Sequence, residues 1–305
     1  MNNMPQVVDL TVFTLVVKNK SFVKAADELG ASPAYVSKRI QVLEQTLNCK
    51  LLHRSTRSLS LTEDGEVVYD WASNILLDLK DMTETVASHP NNPIGTLSIT
   101  SSLGFGRRHV APLLSDFVTL YPKLKIRFDA VDKVQDLIAH HIDLDIRIGN
   151  DIAPHLIAKK LHPNKRILCA APAYLADHGT PKTLKDLLQH ECLVIKERDH
   201  PFGLWELNST KGGQDIKVSG TLASNNGEMV RLWALAGHGI MLRSVWDVGA
   251  EIERGTLVQV LPDYWQDADI WAVYPSRLNA SAKLRVCVEF FEQQLAARLL
   301  KVGAA

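Results

Sequence analysis

The chain has 305 residues, 46% of them hydrophobic and 22% charged, enough apolar matter for two or three packed units. Lys plus Arg equal Asp plus Glu at 34 each, so the formal net charge is zero. That balance excludes a surface uniformly adapted to polyanions, but not one small basic face. No apolar stretch nears the roughly 18 residues of a membrane span, and the first residues carry no basic-then-apolar export pattern. Cys49, Cys169, Cys192 and Cys287 are too dispersed for a disulfide or metal framework, so a reducing cytoplasm is the expected setting.

Leu10, Val12, Phe13, Leu15, Val16 and Val17 predict a first helix that ends near Lys18-Asn19-Lys20. Ser21 is placed to cap a second, carrying Phe22, Ala25, Ala26 and Leu29, and Gly30 stops it. Ser32-Pro33 opens a third, because a proline in the first turn forfeits no intrahelical bond. Val36, Ile40, Leu43 and Leu47 face inward on it. Two short helices joined through Leu29-Gly30-Ala31-Ser32 form a helix-turn-helix pattern. Residues 51–54 and 58–61 read as a hairpin, or wing, with basic residues near its tip.

Thr62-Glu63-Asp64-Gly65-Glu66 caps a further helix in which Val68, Trp71, Ile75, Leu79, Met82 and Val86 recur at intervals of 3, 4, 4, 3 and 4. Such a heptad seam favours a partner helix and dimerisation, with packing against its own domain as the alternative. His89-Pro90-Asn91-Asn92-Pro93 marks the main boundary. Strands and helices then alternate: strand 96–100, a helix near 107–121, strand 125–130, a helix through Val134, Leu137 and Ile138, and strand 144–148. This βαβαβ start predicts a parallel, doubly wound sheet. Further strands are expected at 166–170, 192–195, 218–222, 239–242, 257–261 and 270–274, with a helix at about 227–236 and a long one from Ser281.

Between Ser32 and Thr62 stand five Lys/Arg (Lys38, Arg39, Lys50, Arg54, Arg57) against one acid, Glu44. Helix-turn-helix modules set their second helix in the major groove and hold phosphates with nearby basic and hydroxyl groups. Ser32, Pro33, Ala34, Tyr35, Ser37 and Lys38 form the exposed leading part of that helix. Arg39, His53, Arg54, Ser55 and Arg57 are assigned to the DNA backbone or the flanking minor groove. Tyr35 either meets a thymine methyl or packs.

The segment 101–108 follows a strand and precedes a helix, where free N–H groups and hydroxyls receive an anion. Gly104-x-Gly106 lacks a third glycine and a Walker lysine, so a small carboxylate fits better than a nucleotide. The effector-binding set is Ser101, Ser102, Phe105, Arg147, Lys196, Phe202, Asn225 and Asn226. Arg147 has an internal ion pair as its alternative, Lys196 an exposed surface, and Phe202 simple packing. No HxH or HExxH ligand set, activated cysteine or complete carboxylate pair is assembled, so no catalytic residue, metal or cofactor is assigned.

The segments 21–26, 32–40, 43–44, 51–57 and 61–65 resemble the LysR-type transcriptional regulators, and the order of the remaining chain matches as well. The family often has glutamine where this chain has Ala34-Tyr35, which alters base contacts without disturbing the helix core. The resemblance implies an α/β protein with an N-terminal winged helix-turn-helix (1–65), a dimerising linker helix (66–90) and a periplasmic-binding-protein-like effector domain (91–305). That domain has subdomain I at about 91–164 and 268–305, and subdomain II at about 165–267. Segments 104–107, 143–148, 165–172, 196–199, 239–244 and 270–274 resemble the regulators of tartrate dehydratase and D-malate utilisation. They favour a hydroxy-dicarboxylate or another small organic acid. The implied protein is a cytoplasmic, sequence-specific activator with promoter double-stranded DNA and RNA polymerase as partners, a homodimer assembling to a homotetramer, and not an enzyme. The alternatives are a cytoplasmic small-molecule-binding protein and an enzyme using the sensor cleft.

Overall fold

A computed structural model describes residues 4–54, 59–87, 93–195, 202–275 and 281–302. The chain divides into two units, Met1–Ala87 and Ser88–Ala305. In the first, α1 (Val7–Asn19), α2 (Phe22–Leu29) and α3 (Pro33–Leu47) are delimited by local chemistry. Ser21 Oγ accepts from Lys24 N at 3.3 Å, and Ser32 Oγ from Tyr35 N at 3.2 Å. Gly30 ends α2 at φ +62°, the left-handed conformation that a side chain disfavours. Leu10, Val12, Phe13, Val16, Ala25, Ala26, Val36, Ile40 and Leu43 form one buried core. Strands β1 (Leu52–Arg54) and β2 (Leu59–Leu61) pair antiparallel, with His53 opposite Ser60.

Helix α4 (Glu63–Ala87) starts where Thr62 Oγ1 accepts from Gly65 N at 2.9 Å. Gly65 is required there, since a Cβ would lie 2.1 Å from Leu51 O. The heptad seam divides between two faces. Val68 packs with Tyr69, Ala72 and Leu76 on the unit's own core, which corrects its assignment to a partner-facing stripe. Trp71, Ile75 and Met82 are 66%, 40% and 56% exposed, and Leu79 is half-buried. The difference arises because hydrophobic spacing identifies a stripe but not which flank of it meets the preceding helices. The side chain of Val86 lies outside those described.

In the second unit, β3 (Gly95–Ser101) leads into a helix made of α5 (Leu103–Phe105), a π turn (Gly106–Val110) and α6 (Ala111–Leu120). Strands β4 (Leu124–Ala130) and β5 (Leu144–Ile148) flank β3 in parallel, and β6 (Leu156–His162) completes this stretch. The helix expected through Val134, Leu137 and Ile138 is absent. Instead Asp136 Oδ1 accepts from Ile138 N and Ala139 N, and His141 at φ +52° closes a short turn before a helix can propagate.

Strand β7 (Lys165–Ala170) opens a second sheet. After α7 (Pro172–His178) and a 3₁₀ turn (Leu184–Gln189) come β8 (Cys192–Ile195), β9 (Leu204–Leu207), β10 (Gln214–Lys217) and β11 (Ala223–Ser224). Then follow α8 (Gly227–Leu235), β12 (Ile240–Ser244), α9 (Val245–Glu253), β13 (Val258–Gln259) and β14 (Trp265–Asp267). The strand expected at 218–222 is replaced by a connection between β10 and β11. It runs so close to β8 that a Cβ on Gly220 would sit 2.3 Å from Cys192 O.

The chain then returns as β15 (Ile270–Pro275) and ends on α10 (Ala282–Val302). The first sheet has the order β4-β3-β5-β15-β6, and the second β11-β8-β12-β7-β13 with β14 also on β7. In the first sheet the wholly parallel expectation holds only for β3, β4 and β5, since β15 runs antiparallel to both its neighbours, and in the second β8 lies parallel to β11 and β12 while β7 pairs antiparallel. Leu97, Ile99, Phe117, Leu144, Ile146 and Phe291 anchor the core of the first sheet. In the second, Leu168 and Ala170 face one core while Ile167 and Cys169 face another, the period of a strand covered on both sides.

The two sheets are joined by the links β6–β7 and β14–β15, which lie side by side. Asn164 Nδ2 donates to Ala268 O at 2.7 Å, Asn164 N to Asp269 Oδ1 at 3.1 Å, and Ala268 N returns to Asn164 O at 3.0 Å. Among the described residues no helix is long and apolar enough to cross a membrane.

Candidate DNA-reading face and ligand cleft

Helix α3 exposes Ser32, Pro33, Ala34, Tyr35 and Lys38 at its leading end, with Ser37 half-buried and Val36 and Ile40 fully turned inward. Tyr35 is 43% exposed, which leaves its ring outside the core. His53 is exposed on β1. Ser55 and Arg57, and the side chain of Arg54, lie outside the described residues.

Arg39 has partners within the chain. Its Nε lies 2.5 Å from Asp9 Oδ1 and its Nη2 donates to Gln6 Oε1 at 3.0 Å, so it ties α3 to the start of α1. Asp9 is almost fully buried and needs that cation, a structural demand on the same side chain. Lys50 is likewise held by Glu44 at 2.8 Å.

A cleft of about 90 Å³ lies between the two sheets of the second unit, room for a few water molecules or one compact ligand. Ser102, Arg147 and Asn225 line it, together with Thr100, Asp132, Asp145, Arg166, Arg243 and Trp246. Arg147 rises from β5 and is 6% exposed; Asp145 Oδ2 accepts from its Nε at 2.8 Å. Arg243 rises from β12 and is 8% exposed; its Nε is taken by Asp247. A Cβ on Gly227, the first residue of α8, would fall 1.9 Å from Arg243 Nη1, so that glycine makes room for the guanidinium.

Three expected cleft residues are placed elsewhere. Ser101 is buried and donates Oγ to Ile146 O at 2.9 Å, because the last residue of β3 turns into the sheet and leaves Ser102 to face the cleft. Phe105 is fully buried against His109 and Trp246, with ring centroids 4.9 and 5.0 Å away, so it backs the cleft wall without lining it. Phe202 is 53% exposed and does not line the cleft. Nor is the segment after β3 a free anion loop. The helix begins already at Leu103, and Asp132 Oδ1 takes the Leu103 N–H at 2.9 Å.

Asn226 has a different task from the one expected. Its Oδ1 caps α8 by accepting from Glu228 N and Met229 N, while Nδ2 donates across the cleft to Asp132 Oδ2 at 2.8 Å. Arg108 Nη1 reaches Asp247 Oδ1 at 2.5 Å and Arg107 pairs with Glu228, so a row of polar links joins the subdomains along this edge. Lys196 lies outside the described residues. Sequence reading missed Arg166, Arg243 and Asp132 as cleft residues. An arginine following an apolar run, as in Ile240-Met241-Leu242-Arg243, was the available signal for the second.

His109, buried against Trp246, has its pKa pushed down to about 4, first by burial and then by the charges of Arg298 and Arg108. Burial pushes the Cys169 and Cys192 thiols up to about 12 and Cys287 higher still, so these are inert packing groups, not nucleophiles. Among the described residues no His, Cys, Asp or Glu group is arranged to hold a metal ion.

Residues 7–66 match the bacterial regulatory helix-turn-helix protein, lysR family, and residues 90–296 match the LysR substrate binding domain. The chain is 55% identical over 296 residues to the HTH-type transcriptional regulator DmlR of Escherichia coli K12, covering 97% of this chain and 96% of that protein. It is 48% identical over 301 residues to the HTH-type transcriptional activator TtdR of the same strain, covering 99% and 97%. Among solved structures, the full-length Vibrio cholerae virulence activator AphB superposes with a TM-score of 0.60 at 30% identity over 94% of this chain and 98% of that one. CrgA from Neisseria meningitidis gives 0.58 at 31% identity over the same shares. The chain belongs to the LysR family of transcriptional regulators.

Proposed function

We propose that the protein is an activator that binds promoter DNA through the leading end of α3 and the β1–β2 wing, and that a small organic acid in the cleft controls it. The carrying observation is the cleft itself: nearly buried arginines and the Ser102 and Thr100 positions, contributed by both sheets, form a cationic seat of small-ligand size. DmlR and TtdR, regulators alike over nearly the whole chain, support the same class of role. Lys38 and Tyr35 face the major groove in this reading, with His53, Arg54, Ser55 and Arg57 on phosphates or the minor groove.

Self-association follows from the exposed Trp71, Ile75 and Met82 stripe, giving a homodimer that assembles to a homotetramer in the cytoplasm. An acid that binds one placement of the two subdomains better than the other shifts the population of assemblies, and with it DNA bending and contact with RNA polymerase. The role is binding without turnover.

Footprinting of a promoter fragment with and without small organic acids tests the reading. Protection at a defined site, lost in Lys38→Glu and altered by an acid, is expected. Binding without sequence preference at low salt sinks the DNA-reading role, and a footprint indifferent to every acid sinks the acid control.

A further inference from the structure

The two cleft arginines share an arrangement that goes beyond a generally cationic seat. Each is nearly buried, each has its Nε fixed by an aspartate behind it, and each lines the cleft. Among the described residues, neither Arg147 nor Arg243 makes a hydrogen bond through Nη1 or Nη2. A guanidinium with its Nε occupied keeps its Nη edge for a second acceptor, and a carboxylate matches that edge with two parallel bonds. Both Nη edges open to the cleft, and a guanidinium whose Nε is already fixed presents such an edge ready-made to an anionic ligand.

The two edges also come from different sheets. Arg147 belongs to β5 of the first sheet, and Arg243 to β12 of the second. A ligand with one carboxylate satisfies one of them. A ligand with a carboxylate at each end satisfies both and spans the two subdomains.

The aspartates differ in what they hold. Asp145 also accepts from Thr100 Oγ1 at 3.1 Å, within the first sheet. Asp247 also takes Arg108 Nη1, from the helix that follows β3, so the Arg243 seat is tied to the opposite subdomain through one buried carboxylate.

We infer that Arg147 and Arg243 are the specificity-determining pair of the cleft, each receiving one carboxylate of a short diacid, so that the protein separates two-ended acids from one-ended acids of the same chemistry. This rests on the reading of the cleft as an organic-acid site. Neither arginine leaves its aspartate bare when replaced, since Asp145 keeps Thr100, and Asp247 keeps Arg108 with Arg231 Nε at 3.7 Å.

Calorimetric titration of the full-length protein with malate and with lactate, which lacks the second carboxylate, tests the pair. Charge-assisted pairing of a second carboxylate is expected to make malate about 10- to 100-fold tighter than lactate in the unaltered protein. Arg243→Gln and Arg147→Gln are each expected to bring that ratio close to one, while the thermal transition and operator binding persist. Gly227→Ala, which displaces the Arg243 guanidinium without removing its charge, is expected to shrink the ratio as well. Equal affinity for both acids in the unaltered protein overturns the pairing alone. A ratio unchanged in either glutamine variant overturns the role of that arginine. If neither acid binds while operator binding is intact, the organic-acid reading falls and the pair falls with it.

Discussion

Arg39 occupies the recognition helix, yet its guanidinium is committed to Asp9 and Gln6. Two neighbouring cations should therefore behave in opposite ways. Arg39→Ala strands the buried Asp9 carboxylate and is expected to cost about 2–4 kcal/mol in urea unfolding. Lys38→Glu is expected to leave stability within about 0.5 kcal/mol and to weaken promoter binding, by the loss of an exposed cation and the gain of a repelling charge. His109 gives a pH dependence of definite sign. Its pKa is near 4 in the fold against 6.5 in an unfolded chain, so below pH 6.5 the unfolded state takes up a proton that the native state refuses. Stability is expected to fall as pH drops from 6.5 towards 4, by about 3 kcal/mol in total. His109→Phe, which keeps the aromatic contact and cannot ionise, should flatten that part of a urea-denaturation profile.

At the level of elements, α4 carries two apolar faces, one packed on the core of the first unit and one exposed in the single chain. Val68→Ala is expected to destabilise the first unit by about 1–2 kcal/mol, because Val68 packs on its core. Ile75→Glu should leave folding intact and weaken self-association by roughly tenfold or more in sedimentation equilibrium, because Ile75 is exposed in the single chain. The heptad spacing was legible in the sequence; the assignment of Val68 was not, since one helix cannot disclose where its neighbours lie. The same limit governs the turn at 131–142. Its apolar residues sit at helical spacing, but the Asp136 carboxylate satisfies two backbone N–H groups locally and ends the helix before it starts.

For the whole molecule, cleft and DNA face lie in different units, so ligand and DNA should register separately in thermal unfolding. An acid present at 100 times its dissociation constant adds about 2.7 kcal/mol to the unit that binds it. Differential scanning calorimetry is expected to show the transition of the second unit rising with acid concentration. The transition of the first unit should stay fixed in the absence of DNA. A uniform shift of both transitions would place acid contacts outside the cleft.

The first unit could be read almost completely from the residues, because its signals are short-range: Ser21, Gly30, Ser32 and Pro33 cap and stop helices within a few positions of themselves. Strands β3 and β5 were equally plain from their alternating apolar residues, and β8 and β15 as apolar runs. Strand β6, the β9–β10 hairpin and β14 were missed, for these segments are short or mix apolar with charged residues, and β6 and β14 become strands only by pairing with segments remote in sequence. The cleft shows the same division. Ser102, Arg147 and Asn225 belong to strand ends that a sequence can locate, whereas Ser101 and Phe105 turned inward by a single position or turn. Arg243 and Arg147 line one cleft although β12 and β5 belong to different sheets, joined through the links at Asn164 and Ala268. Capping, periodicity and local charge were therefore the sequence's own to determine. Which charges are committed inward and which stay open to a ligand was decided by tertiary packing, because burial and hydrogen-bond satisfaction are properties of neighbours in space.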